Sequence, residues 1–186
     1  LGLEAADYVL SIMNSVDIFD GVKRVDFETA LSDGKIEYIG EDVIEAYLAA
    51  VEDRRVNRDI DMSKLNVVYT PLHGTGITLV PKIFKKMGFT NLSLVEAQVE
   101  SNGDFPTVHS PNPEENSALE MAVAQAEAIG ADLVMATDPD ADRVGIAIRD
   151  NEGKITLLNG NQTASLLTYY LLQRWSELGK LNENTY

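Results

Sequence analysis

The chain has 186 residues, of which 45% are hydrophobic and 24% are charged, and it contains no cysteine. Its formal net charge of −15 argues against nucleic acid or an anionic membrane surface as a partner, since both attract lysine and arginine. No apolar run is long enough to span a bilayer, and the lack of cysteine excludes disulfides and thiolate sites, so we expect a cytoplasmic protein.

The first 64 residues are predicted to contain two helices and one strand. Apolar residues recur with a helical period over 5–13 and over 42–54, whereas Lys35–Ile39 alternates as a strand does. The stretch 54–64 is highly charged and is typical of a linker. Because the first residue is Leu1 and not methionine, we expect the chain to be a segment of a longer protein.

From Asn66 onward, short apolar strands alternate with helices. Strands are predicted at 67–69, 92–95 and 133–136, with helices from about Thr78 to Gly88 and from a cap at Asn112 to Gly130. Alternation of this kind indicates parallel strands joined by crossover helices. The next strand, 144–149, follows too closely for a crossover and must run antiparallel; a hairpin then leads into 154–158, and a last helix covers 162–178.

These elements predict an α/β fold with three layers, α/β/α. The mixed sheet has about four main strands, three parallel and the fourth antiparallel, plus a hairpin extension. In such sheets, ligands bind beyond the carboxyl ends of the parallel strands. The loops at 70–76, 96–113 and 137–143 leave these ends, so we expect them to share one rim.

The loop at 137–143 is the most informative motif in the chain. It places Asp138, Asp140 and Asp142 at alternating positions and Arg143 directly after them. Carboxylates this close repel one another unless a cation lies among them, and Mg²⁺ completed by water or phosphate suits such oxygen ligands. Arg143 can hold a phosphate or carboxylate through its planar guanidinium. An EF-hand is excluded because Arg143 and Arg149 stand where that loop needs Gly and Glu, and the alternative is a polar surface turn.

The loop Leu72–Gly76 has two readings. It can offer backbone N–H groups to an anion at a helix start, which makes His73 and Gly74 candidates for substrate binding, or it can be only a tight turn from strand to helix. It lacks the P-loop and dinucleotide-binding signatures. His73 and His109 are too few for a zinc site, and Ser165 is interpreted as helix surface.

Three ordered segments resemble the α-D-phosphohexomutases, the family of phosphoglucomutase and phosphomannomutase. Residues 137–143 are similar to the metal-binding loop of that family, 70–76 to the first βα turn of its second domain, and 102–114 to the stretch that precedes the metal loop. The resemblance implies that Asp138, Asp140 and Asp142 hold Mg²⁺ and that Arg143 contacts the phosphate-bearing substrate.

The family transfers a phosphoryl group from a phosphoserine to a sugar phosphate and retrieves it from the bisphosphate intermediate. The phosphoserine, sugar-binding and C-terminal phosphate-binding loops of the family are missing, so no catalytic residue is assigned in this chain. The resemblance implies the end of a preceding domain at 1–40, the metal-loop domain at 41–159, and the first helix of a third domain at 160–186.

We therefore expect a fragment of a phosphoglucomutase-type isomerase that is inactive alone. Glucose 1-phosphate and glucose 6-phosphate are the expected substrates, and the remaining domains of the same chain are the expected partners, with no nucleic acid or membrane. The alternative is a stand-alone acidic module that binds Mg²⁺ or a nucleotide sugar without catalysis.

Overall fold

The computed structural model describes residues 2–182. These residues form two compact units, the first ending at Val43 and the second beginning at Ile44. Among the described residues, no helix is long and apolar enough to cross a membrane.

The first unit contains helices α1 (Leu3–Met13) and α2 (Phe27–Ser32) and leads into α3 (Glu41–Asp53). Helix α2 begins at Asp26, whose carboxylate accepts the Thr29 N–H at 2.9 Å. This helix was not predicted, and the strand predicted at Lys35–Ile39 is wrong. The N–H groups of Lys35 and Ile36 donate instead to the Ala30 carbonyl at the end of α2, so they are not available to a strand partner.

The second unit is built on a five-stranded mixed sheet, which confirms the predicted fold class. In spatial order its strands are β2 (Asn91–Leu94), β1 (Asn66–Thr70), β3 (Leu133–Thr137), β4 (Val144–Arg149) and β5 (Ile155–Leu158). Strand β1 pairs in parallel with β2 and β3, whereas β3–β4 and β4–β5 are antiparallel. The antiparallel fourth strand and the hairpin are both as predicted.

Helices cover both faces of this sheet. Val68, Val134 and Ala147 lie in register on one face and pack with Ala122 and Ala126 of helix α5 (Asn116–Ile129). Side chains alternate along a strand, so Tyr69 points to the opposite face, where its ring stacks on Phe84 of helix α4 (Val80–Lys86). The remaining helix, α6 (Gly160–Glu177), starts with a capping box between Asn159 and Gln162.

Helix α5 starts later than the sequence predicted. The predicted cap, Asn112, instead accepts the Glu114 N–H at 3.1 Å and forms a turn, and the helix begins at Asn116. Its predicted end is confirmed, because Gly130 adopts a left-handed conformation with φ 68°. Ile129, the last residue of the helix, is apolar but 52% exposed.

Candidate functional site

The aspartate loop, residues 138–143, joins two strands that are hydrogen-bonded neighbours. Thr137 at the end of β3 pairs with Val144 at the start of β4, so the loop must reverse direction within a few residues. Ala141 allows the reversal with φ 59°, and its N–H donates to the Asp138 carbonyl at 3.0 Å. The tight turn directs the three carboxylates to the same side.

One carboxylate oxygen from each of Asp138, Asp140 and Asp142 lies within 4.8 Å of the others. The Asp138 side chain is 1% exposed, whereas Asp140 and Asp142 are open to solvent. The loop therefore combines one fixed, buried carboxylate with two accessible ones.

Arg143 fixes the buried carboxylate of Asp138. Its N–H donates to Oδ1 at 3.0 Å and its Nε donates to Oδ2 at 2.8 Å, while Nε lies 3.7 Å from an Asp142 oxygen. The Arg143 side chain is 56% exposed, and no atom of residues 2–182 accepts a hydrogen bond from its two terminal nitrogens. These nitrogens have the geometry to donate to an anion in front of the loop.

The carboxylates differ in acidity because their surroundings differ. Burial is the largest effect on Asp138 and raises its pKa, but the hydrogen bonds from Arg143 and Asp142 and the positive charge of Arg143 together lower the pKa overall. The pKa of Asp142 is raised, first by the negative charge of Asp140 and then by Asp138. The hydrogen bond to Asp138 also raises the pKa of Arg143, which stays a cation. Mutual repulsion at Asp142 is what a bound cation would relieve.

The donor set fits a hard divalent cation. Three carboxylates offer oxygen ligands only, and the exposure of Asp140 and Asp142 leaves room for water or phosphate oxygens to complete an octahedral shell. The cleft beside the loop has a volume of about 380 Å³. It is lined by Ser110, Pro111, Asn112, Asp138, Pro139, Asp140 and Arg143.

Ser110, Pro111 and Asn112 line the cleft but were not predicted from the sequence as ligand-binding residues. They belong to the loop that follows β2. Two signals pointed to this loop: it leaves the same rim as the aspartate loop, and 102–114 resembles the stretch that precedes the metal loop in the family. The Asn112 side chain is used locally, since its Nδ2 donates to Glu115 at 3.1 Å.

The turn at 71–74 packs directly against the aspartate loop. The Thr75 N–H and Oγ1 both donate to the Pro139 carbonyl, at 2.8 and 3.1 Å. A Cβ atom on Gly74 would lie 2.4 Å from the Pro139 Cα, so the two backbones are in contact. The structure thus brings Gly74 to the aspartate loop, as the shared rim predicted.

His73 lies at the back of this turn, and its side chain is already bonded. The residue is 4% exposed, and its ring nitrogens lie 3.0 Å from the Glu100 carbonyl and 2.8 Å from Thr107 Oγ1. Leu72 and His73 have φ values of 48° and 62°, which non-glycine residues seldom adopt. Through these bonds, His73 joins the turn to the loop that contains Glu100 and Thr107. A contact between His73 and substrate stays a prediction.

A buried chain of hydrogen bonds fixes the tautomer of His73. Thr70 Oγ1 accepts the Leu72 N–H and so donates to Gln98 Oε1 at 2.6 Å. Gln98 then donates through Nε2 to Thr107 Oγ1, whose own proton is left for His73 Nε2. The ring therefore carries its proton on Nδ1 and donates it to the backbone. Sequence reasoning missed Gln98 and Thr107, because the network joins residues from separate loops.

Comparison with known proteins identifies the family of the chain. Residues 45–153 match the family model described as phosphoglucomutase/phosphomannomutase, alpha/beta/alpha domain II. The chain belongs to the phosphoglucomutase/phosphomannomutase family.

Relatives within the family are longer than this chain. It is 37% identical over 171 residues to a phosphoglucomutase of Staphylococcus haemolyticus, an alignment that covers 92% of this chain and 30% of the relative. It is 48% identical over 119 residues to a phosphoglucomutase of Staphylococcus aureus, an alignment that covers 64% of this chain and 22% of that relative. The crystal structure of a phosphoglucomutase/phosphomannomutase family protein from Burkholderia thailandensis superposes with a TM-score of 0.55 at 25% sequence identity. The superposition covers 79% of this chain and 31% of that protein.

Proposed function

We propose that this chain supplies the Mg²⁺-binding wall of a phosphoglucomutase-type active site. Asp138, Asp140 and Asp142 would hold the ion, and the observation that carries the proposal is their convergence within 4.8 Å at the rim of the sheet. The names of the relatives support a phosphosugar isomerase as the parent activity. On this proposal the substrates are glucose 1-phosphate and glucose 6-phosphate, interconverted through a bisphosphate in the cytoplasm.

The residues divide the work according to their exposure. Asp138 is held by Arg143 and sets the position of the site, whereas Asp140 and Asp142 can approach the ion from solvent. A bound Mg²⁺ would offset negative charge on the phosphoryl group during transfer. The free terminal nitrogens of Arg143 would orient a phosphate beside the loop. His73 and Gly74 are proposed to contact substrate through the turn they form.

The phosphoserine and the sugar-binding loop are proposed to lie in the rest of the relatives' length, so this chain should show no turnover alone. We propose domain boundaries at 1–40, 41–159 and 160–186. Support for the last boundary comes from α6, in which no residue is buried. Leu166, Leu167, Tyr169 and Leu172 are between 46% and 70% exposed, as expected of a helix that packs on further protein.

Cation binding by the chain tests the proposal. Mn²⁺ serves as the probe, because its free and bound forms are distinguished by electron paramagnetic resonance, and Mg²⁺ is added as competitor. We expect one weak site that Mg²⁺ empties and that Asp140→Asn removes. Asp59→Asn, which changes an exposed aspartate in another loop, should leave the site unchanged.

Two results would count against the proposal. Binding of Mn²⁺ that is the same in Asp140→Asn and in the unchanged chain would show that the aspartate loop is not the site. Conversion of glucose 1-phosphate by the purified chain would show that it is not one part of an active site. Saturable binding of a nucleotide sugar without turnover would favour the stand-alone binding module.

A further inference from the structure

The aspartate loop is held in place from outside as well as by its own hydrogen bonds. Pro139 lies between two of the proposed ligands, Asp138 and Asp140, so its position determines the direction from one carboxylate to the next. The ring of Pro139 fixes its backbone angle φ. The carbonyl oxygen of Pro139 accepts the hydrogen bonds from the neighbouring turn. Both donors of Thr75 converge on that oxygen, at 2.8 and 3.1 Å.

Gly74 also takes part in this contact, because its lack of a side chain lets its backbone touch the backbone of Pro139. Its φ of −104° and ψ of −176° are open to any residue, so backbone conformation does not require glycine here. The space does require it, because a Cβ atom would lie 2.4, 2.6 and 2.8 Å from the Cα, O and C atoms of Pro139. These are backbone atoms, which cannot rotate away as a side chain would.

The turn that contacts Pro139 is itself held by several hydrogen bonds. Its Leu72 and His73 hold left-handed φ values, and the imidazole of His73 is bonded at both nitrogens. The Gly74 carbonyl accepts the Ser101 hydroxyl at 3.2 Å, and the Gly74 N–H donates to the Pro71 carbonyl at 2.8 Å. Because these bonds hold the turn, we expect a clash between Gly74 and Pro139 to be relieved by movement of Pro139.

We propose that Gly74 and Thr75 are positioning residues for the cation site: they hold Pro139 where the Asp138 and Asp140 carboxylates converge. The inference rests on the proposed function for its cation, although the contact itself does not. Enlarging Gly74 should push Pro139 outward and separate the two carboxylates, and removing the Thr75 hydroxyl should loosen the same contact less.

The test uses Gly74→Ala with Gly103→Ala as the matched control, since a Cβ at Gly103 meets nothing within 4 Å and its φ is not left-handed. Amide ¹⁵N–¹H spectra without added metal report the aspartate loop directly, and a Mn²⁺ titration reports the site. We expect Gly74→Ala to shift the amides of Asp138, Asp140 and Arg143 and to weaken Mn²⁺ binding about tenfold, the scale of changes next to metal ligands. Gly103→Ala should do neither.

Thr75 provides a second arm that does not depend on Gly74→Ala folding. Thr75→Val removes the hydroxyl donor and keeps the backbone donor, so it should weaken Mn²⁺ binding by less than Gly74→Ala, and Thr75→Ser should restore it. A merely structural threonine would not be rescued in this way.

The outcomes separate the two proposals. Unshifted loop amides and unchanged Mn²⁺ affinity in Gly74→Ala would overturn the positioning role. If that variant is unfolded, equal behaviour of Thr75→Val and Thr75→Ser would overturn it instead. If the unchanged chain binds no Mn²⁺, the proposed function fails, while the shifts of the loop amides in the metal-free spectra still decide whether Gly74 and Thr75 position Pro139.

Discussion

A buried hydrogen bond between Tyr69 of β1 and Thr137 of β3 joins these neighbouring strands next to the aspartate loop. The hydroxyl oxygens are 2.8 Å apart, Tyr69 is fully buried and Thr137 is 9% exposed. A Cβ at Gly76 would lie 2.4 Å from the Tyr69 oxygen and 2.6 Å from the Thr137 oxygen, so Gly76 packs directly against the pair of hydroxyls. Burial raises the pKa of Tyr69, and its phenol therefore stays protonated at neutral pH.

Removing both hydroxyls should cost less than the two single removals added together. Tyr69→Phe leaves the Thr137 hydroxyl buried without its partner, and an unsatisfied buried group costs about 1–3 kcal/mol. Thr137→Val should cost a similar amount by stranding the tyrosine hydroxyl. The double variant places two apolar groups of nearly the same shape in contact, so its cost should fall short of the sum by about 1–3 kcal/mol.

Urea unfolding followed by tryptophan fluorescence and circular dichroism measures these free energies. With a slope of about 2 kcal/mol per M, each single variant should lower the midpoint by about 0.5–1.5 M. Tyr38→Phe is the control, since Tyr38 is 72% exposed and should not change the midpoint. Strictly additive effects in the double variant would refute the reasoning, because they would mean that the two hydroxyls do not depend on each other.

Two further variants test the packing and the electrostatics of the sheet. Gly145→Ala places a Cβ 2.0 Å from the Pro113 carbonyl oxygen, and overpacking of about 1–3 kcal/mol should lower the melting temperature by roughly 2–12 °C; an unchanged value would contradict this. Glu127 accepts hydrogen bonds from the Ile155 N–H and from the Arg149 side chain. Both lower the pKa of Glu127, and the bond from Ile155 has the larger effect. The Glu127 carboxylate should stabilise the fold fully above the ordinary glutamate pKa. This stabilisation should be lost as the pH falls below the ordinary pKa and through the lowered pKa of the folded chain, so at low pH Glu127→Gln should approach the parent chain in stability.

The control for the pH experiment is Glu120→Gln on the same helix. Glu120 is exposed, and no hydrogen bond or ion pair involving it occurs among residues 2–182. A difference between Glu127→Gln and the parent chain that persists unchanged into acid would contradict the assignment of the effect to the Glu127 carboxylate.

Much of the fold could be predicted because local patterns and sheet geometry agree. Gly130 was placed at a helix end from its position after an apolar period, and it has the left-handed φ that this position needs. The antiparallel course of β4 followed from the shortness of the 138–143 connection, which no crossover can span. The convergence of the three aspartates follows from the same short turn.

The errors arose where a local pattern depends on a partner elsewhere. Lys35–Ile39 alternates, but alternation makes a strand only if another strand pairs with it. Asn112 has the right neighbours for a helix cap, yet its carboxamide bonds Glu114 and Glu115 in a separate turn. The sequence predicted that the loops of Gly74 and Pro139 share a rim, but not that the two backbones touch, since that contact depends on the exact course of two loops more than sixty residues apart.

The order of strands also bears on how quickly the molecule assembles. The aspartate loop closes between neighbours in sequence, whereas the pairing of β1 with β3 joins residues such as Val67 and Leu133, which are more than sixty positions apart. Closing a chain segment of that length carries a large entropy cost before any contact is gained, so it should limit the rate of folding. We therefore expect the aspartate loop to close with the hairpin of β3 and β4 before β1 pairs with β3.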